Sequence, residues 1–168
     1  VTGVLDDGVP EYLAFIPNSE TVVTDVSEGE FDLLIVTDCG DEERTGKVGA
    51  YGLAPSKVVI NIDHHPTNPR FGDIDLVVPM AVSATEIVFD WRTYKKHPIS
   101  YNVAYALLVG LVTDTLGFRV SSTTARTLEI AQALMSVWED KDKALLSKVM
   151  AKTLNSRPYV EIELWKSA

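Results

Sequence analysis

Val58-Val59-Ile60-Asn61-Ile62-Asp63-His64-His65 decides how this chain is read. The β-branched run from Val58 to Ile62 reads as a buried strand. It stops at one carboxylate and two imidazoles, and Pro66-Thr67-Asn68-Pro69 behind them cannot continue a strand. In open α/β sheets, ligands bind just beyond the carboxyl ends of the strands. Three groups able to hold a metal ion or move a proton therefore stand where such a fold keeps its site. The competing reading is a polar turn after a core strand. Asp-His-His weighs against it, because it adds desolvation cost and supplies no turn geometry that Asn or Gly would not give.

Working outward, Phe31-Asp32-Leu33-Leu34-Ile35-Val36-Thr37-Asp38 repeats the design and is followed by Cys39-Gly40-Asp41. If the two strands are parallel, Asp38 and His64 emerge at one sheet edge. Carboxylates and an imidazole together suit a hard or borderline divalent ion such as Mn²⁺ or Mg²⁺. Taken alone, Asp38 also suits a helix N-cap or a strand-end turn. Asp114 follows the apolar run from Asn102 to Val112, which reads as a helix buried on most faces. A carboxylate there is costly unless it is paired, capped or metal-bound; a helix-end turn over Thr113-Asp114-Thr115 is the alternative.

The remaining elements fall around these three. Val1 to Leu5 and Thr21 to Thr24 read as short strands, with a turn at Asp6-Asp7-Gly8 and a helical turn between Pro10 and Ile16 that has Pro at its first position. Ser27 to Glu30 reads as a loop. Asp41, Glu42 and Glu43 cluster at an expected helix start, as the helix dipole favours; Arg44 beside them reads either as a phosphate contact or as a solvated helix residue. Pro55-Ser56 launches the central strand. Asp73 to Pro79 reads as an edge strand. Ser83-Ala84-Thr85-Glu86 is a capping-box pattern opening a helix with Ile87, Val88, Trp91 and Tyr94 on one face, expected in the core or at an interface. His97, in a basic loop, reads as exposed. Helices are expected over 125–138, with Leu128, Ala131, Leu134, Met135 and Trp138 on one side, over 143–154 and over 158–165. The fold class is thus α/β, a mainly parallel sheet flanked by helices with a helical C-terminal half, read as a single domain over 1–168.

Composition narrows the function classes. The 168 residues are 46% hydrophobic and 23% charged, enough to bury a core. The single cysteine, Cys39, excludes an intramolecular disulfide and a cysteine-based zinc finger, and reads as a small buried residue beside the site. No stretch is long and apolar enough to span a membrane and no signal peptide is visible, so a cytoplasmic protein is the default. A net charge of −9 argues against a broad grip on long nucleic acid. It leaves room for a small phosphorylated substrate, because bound divalent ions reverse the local field.

Asp38 in Val-Thr-Asp-Cys-Gly-Asp, then Asp63-His64-His65-Pro66-Thr67-Asn68, then Asp114 in Leu111-Val112-Thr113-Asp114-Thr115-Leu116-Gly117-Phe118, resemble in order and spacing the successive motifs of the DHH phosphoesterases. The resemblance is to the branch of bacterial oligoribonucleases (nanoRNases) and 3′-phosphoadenosine-5′-phosphate phosphatases. It implies a DHH-type Rossmann-like domain and two Mn²⁺ or Mg²⁺ ions that activate water against a phosphoester. Asp38, His64 and Asp114 would be metal ligands, with Asp38 shared by both ions. Asp63 would orient a histidine, and His65 would act as proton donor toward the substrate. Asn68, Arg119 and Arg126 would contact substrate. The implied substrate is a short oligoribonucleotide or a 3′,5′-bisphosphorylated nucleoside, with neither long duplex DNA nor a membrane as partner and a homodimer left open. Relatives that cleave cyclic dinucleotides, polyphosphate or pyrophosphate are the alternative, and an inactive binding or scaffold domain is the alternative of another class. The family's first motif, His-x-x-x-Asp-x-Asp, and its C-terminal substrate domain have no counterpart here. The chain therefore reads as a piece of a larger enzyme, inactive alone.

Overall fold

The computed structural model describes residues 1–26, 31–53, 56–138 and 140–154. The loop expected over 27–30, the Pro55 start of the central strand and the helix expected over 158–165 lie outside them. Strands β1 (Leu34–Thr37), β2 (Val59–Asp63) and β3 (Ile74–Val77) form a parallel sheet in that order. The register aligns Thr37 with Ile62 and Asp63 with Val77, and the ladder runs one step further where the Asp38 N–H donates to the Ile62 carbonyl at 2.9 Å. Asp38, Asp63 and His64 thus leave the sheet at one edge. β3, closed by Pro79, is an outer strand as its sequence suggests.

Helix α1 (Gly46–Leu53) connects β1 to β2, and α2 (Ala84–Tyr94) follows β3. The acidic run over 41–43 does not cap α1. It forms a 3₁₀ turn over Glu43–Thr45, and Asp6, about forty residues upstream in the sequence, takes the capping role. Its carboxylate accepts the N–H groups of Lys47 and Val48 at 2.6 and 3.1 Å. At α2, Ser83 Oγ accepts from the Glu86 N–H as the capping pattern requires, but the returning bond from Glu86 lands on the Val82 N–H, one residue early.

The main core is helical. In α3 (Tyr101–Asp114), Leu108, Leu111 and Val112 have no exposed surface; they pack against Ile130 and Leu134 of α4 (Ala125–Ser136) and Val149 of α5 (Leu145–Leu154). A smaller cluster of Ile62, Ala81 and Ile87 seats α2 on the sheet. Gly110 lets α2 and α3 approach, since a Cβ there would collide with the Thr85 methyl. Two helical faces differ from expectation. On α2, Ala84, Ile87 and Phe89 are buried, while Trp91 and Tyr94 are 45% and 80% exposed. Its apolar stripe is split between the sheet and α3, and its last turn projects past both. On α4 the buried face is Thr127, Ile130, Ala131 and Leu134, and Leu128 points outward. Val1 to Leu5 and Thr21 to Thr24 form only one parallel bridge, Val4 to Val23, and pair with no other described strand. His97 is exposed as expected.

Helix α3 ends in a Schellman motif: Gly117 N–H donates to the Val112 carbonyl at 2.8 Å and Leu116 N–H to the Thr113 carbonyl at 3.1 Å. The left-handed position, which glycine normally fills, is Leu116 at φ 49°. Two outcomes follow. Leu108→Ala should lower unfolding free energy by about 2–5 kcal/mol, the range for a large-to-small change in a closed core, read from urea unfolding. Leu116→Gly should raise it by roughly 0.5–1 kcal/mol, the left-handed strain relieved less glycine's extra chain entropy; a fall in the urea midpoint would contradict the strain assignment.

Candidate metal and phosphate site

Two loops and two helix ends converge beyond the carboxyl edge of the sheet. Asp38 turns out of β1 at φ 56°, a left-handed conformation that Asp tolerates better than most residues. His64 leaves β2. Its Nδ1 lies 3.2 Å from the Ala81 carbonyl, which can only accept, so Nδ1 carries the proton. Nε2 then faces Asp38 Oδ1 at 3.3 Å and Asp114 Oδ2 at 3.4 Å. Asp114, the last residue of α3, is brought here by that helix.

His65 has a separate partner. Its Nδ1–H donates to Asp63 Oδ1 at 2.7 Å. Asp63 is fully buried, and Asn68 Nδ2 donates to its other oxygen at 2.7 Å. Burial opposes ionisation of Asp63, but the hydrogen bonds from His65, Asn68 and the His64 backbone together outweigh it and hold its carboxyl below the usual carboxylate range. The Asp63 carboxylate thus fixes the tautomer and ring orientation of His65. For Asp114 the balance is opposite: burial raises its carboxyl above the ordinary value, the attraction of His64 opposes this, and the Asp38 charge adds to the rise.

The arrangement fits a cation. In neutral His64 the Nε2 lone pair is directed at two carboxylates, acceptor against acceptors, and a proton or metal ion between them resolves the repulsion. One ligand atom each from Asp38, His64 and His65 lies within 4.8 Å of the others. This mixed oxygen and nitrogen set suits a divalent ion of hard to borderline character. Beside it, Thr37, Asp38, Ser83, Thr85, Thr113 and Asp114 line a cavity of about 440 Å³, large enough for a phosphate group.

The expected site residues do not all arrive. Asp38, Asp63, His64, His65 and Asp114 come together. Asn68 belongs with them in a different role: it is buried, its Nδ2 serves Asp63 and the Cys39 carbonyl, and its Oδ1 accepts from Asn61 and the Arg70 N–H. With both ends of its amide engaged it positions Asp63. Arg126 is not brought to the cluster. It pairs with Asp90 of α2 and Glu129 of its own helix and lies over the Phe89 ring. Arg119 is exposed and donates from Nε to the Leu116 carbonyl at 2.7 Å. Cys39 is buried, and burial pushes its thiol above the ordinary value, in keeping with a structural residue.

Sequence reasoning missed Asn61. It has no exposed surface, and its Nδ2 donates to Asn68 Oδ1 at 2.9 Å and Asp75 Oδ1 at 3.0 Å. A lone amide inside Val-Val-Ile-Asn-Ile was the available signal. Gly72 lets the returning loop lie on it, since a Cβ there would stand 3.0 Å from the Asn61 backbone nitrogen. The Ala81 carbonyl that orients His64 left no signal, because any residue supplies one.

A bifunctional oligoribonuclease and PAP phosphatase NrnA of Thermus thermophilus is 32% identical over 127 residues, covering 75% of this chain and 38% of that protein. The Bacillus subtilis protein of the same name is 31% identical over 132 residues, covering 76% of this chain and 41% of the relative. The chain therefore spans well under half the length of these relatives. Among solved structures, an exopolyphosphatase-related protein from Bacteroides fragilis superposes with a TM-score of 0.81 at 22% identity, covering 98% of this chain and 50% of that one. A putative family II inorganic pyrophosphatase from Methanococcus jannaschii gives 0.59 at 16% identity, covering 84% of this chain and 49% of that one; both likenesses are of fold. Residues 3–111, which hold Asp38 and the Asp63-His64-His65 turn, match the N-terminal domain of the DHH family, and the chain belongs to that family.

Proposed function

We propose that this chain is the catalytic portion of a metal-dependent phosphoesterase that hydrolyses short oligoribonucleotides or 3′,5′-bisphosphorylated nucleosides. The observation that carries the reading is the convergence of Asp38, His64 and Asp114 beside an Asp63-oriented His65 at the carboxyl ends of parallel strands. The NrnA relatives, named for both substrate types, supply the substrate class.

Asp38, His64 and Asp114 would hold divalent ions, two in the intact enzyme, Mn²⁺ or Mg²⁺. Such ions, when bound, lower the pKa of a water and polarise a phosphoryl oxygen. The rest is the work of the chain's own groups. The Ala81 carbonyl holds the His64 Nδ1 proton and keeps Nε2 pointed at the carboxylates. Asp63 holds the His65 Nδ1 proton, leaving Nε2 as the nitrogen that would give a proton to the leaving oxygen. Asn68 keeps the Asp63 carboxylate in place, and Thr37, Ser83, Thr85 and Thr113 line the cavity where the phosphate would sit. Arg119, exposed beyond Asp114, has its Nε on the Leu116 carbonyl, so a phosphate oxygen would meet only its terminal nitrogens. The fold likeness to polyphosphate and pyrophosphate enzymes supports a second reading, hydrolysis of a phosphoanhydride at the same site.

Asp38→Ala or His64→Ala, placed in a protein that carries this chain and shows Mn²⁺-dependent hydrolysis of a diribonucleotide, should abolish that hydrolysis; full retained activity would reject the assignment. Asp63→Asn should separate the two roles. Loss of the orienting charge should lower kcat by about 10²–10⁴-fold, the scale of a proton-transfer group, while calorimetry still detects Mn²⁺ binding. If metal binding and kcat disappear together, Asp63 belongs with the ligands.

A further inference from the structure

Arg44 differs from the other described arginines. Arg70, Arg92, Arg119 and Arg126 each commit the guanidinium to a hydrogen bond or ion pair. The Arg44 guanidinium has no such partner among the described residues, although Asp41, Glu42 and Glu43 precede it directly. Only its backbone is engaged, the N–H donating to Asp41 Oδ1 at 2.9 Å. That bond and the 3₁₀ turn over Glu43–Thr45 carry the side chain back over Gly40.

Gly40 is buried between two groups. A Cβ there would lie 3.5 Å from Arg44 Nη1 and 3.5 Å from His65 Cγ, so the guanidinium and the imidazole stand no more than twice that distance apart, with only a glycine between them. His65 in turn has a ring nitrogen within 4.8 Å of the ligand atoms of Asp38 and His64. The site therefore has two anion-seeking ends with His65 between them. One is the carboxylate and imidazole cluster, which takes an anion through cations. The other is an uncommitted planar guanidinium, whose fork of donors matches a phosphate without any metal.

We propose that Arg44 binds the uncleaved phosphate of a substrate that carries two, on the Gly40 side of His65. This rests on the reading of the cluster as the seat of the cleaved phosphate. It gives the chain a means of preferring a nucleoside 3′,5′-bisphosphate, or a nucleotide followed by another, over a lone monoester. The mode of binding adds no barrier to turnover of a substrate once seated, so the effect falls on KM more than on kcat.

The test is calorimetric titration of the chain in Mn²⁺ with adenosine 3′,5′-bisphosphate and, separately, adenosine 5′-monophosphate. The quantity read is the ratio of the two affinities. The unaltered chain should favour the bisphosphate. Arg44→Ala should lower the ratio about ten- to a hundredfold, the scale of a charge-assisted hydrogen bond. Arg44→Lys should keep part of it, since Lys offers the charge without the fork. Arg44 is exposed, and circular dichroism on each variant separates a binding loss from unfolding. If the monophosphate binds and Arg44→Ala leaves the ratio where it was, the assignment of Arg44 is overturned and the reading of the cluster stands. If neither nucleotide binds in Mn²⁺, the reading of the cluster fails and the assignment of Arg44 falls with it.

Discussion

Asp63 is a carboxylate with no solvent exposure, and much of the structure around it serves to keep that charge inside. An isolated buried carboxylate would be strongly unfavourable, and every one of its hydrogen-bonding positions needs a donor. His65 and Asn68 supply two, one to each oxygen. Asn68 can do so only if its own amide is held, and Asn61, the Cys39 carbonyl and the Arg70 N–H hold it. Asn61 needs Asp75, and Asp75 accepts the Gly72 N–H. The loop between β2 and β3 is thus tied down by a continuous polar chain that begins at the His65 ring and ends at β3. Removing the Asn68 amide takes the donor from one oxygen of the buried Asp63 carboxylate and from the Cys39 carbonyl, which costs more than the hydrogen bonds themselves.

The second imidazole is governed by the sheet. Parallel register carries Asp38 to the level of Asp63, and the Ala81 carbonyl, from the turn into α2, aims His64 at it. α3 then delivers Asp114 from the opposite side. Both carboxylates that face His64 sit beside backbone in the left-handed region, Asp38 itself and Leu116 two residues after Asp114. Local preference is violated at the two places where chain direction must change sharply to bring charge onto one nitrogen, as is common where function constrains geometry. The cores that flank the site, Ile62 with Ile87 on the sheet and Leu108 with Ile130 in the helical half, obey the ordinary rules.

The parts of this protein that were legible in its sequence are those set by local pattern. β-branched runs ending in Asp38 and in Asp63-His64-His65 marked two strands and their functional edge, and the apolar run before Asp114 marked the buried helix. Ser83 announced the start of α2. The structure places several side chains away from where the helical period alone would draw them. Trp91 and Tyr94 fit a helical stripe, but the stripe is divided between the sheet and α3 and ends before them. Leu128 fits a stripe on α4, but the packed face is rotated toward Thr127 and Ile130. Arg126 had the chemistry for phosphate and was captured by Asp90 on a neighbouring helix.

By itself the sequence determined the α/β class, the order of the elements and the identity of the carboxylates and imidazoles that meet, because hydrophobic period and strand-ending residues are local properties of the chain. The tertiary structure decided which nitrogen of each histidine is free, that Asn68 supports Asp63, that Asp6 caps α1 and that Arg44 lies beside His65 with its guanidinium uncommitted. Those outcomes depend on partners distant along the chain, a carbonyl at Ala81 or a glycine at Gly40, whose contribution is position in space rather than side-chain chemistry.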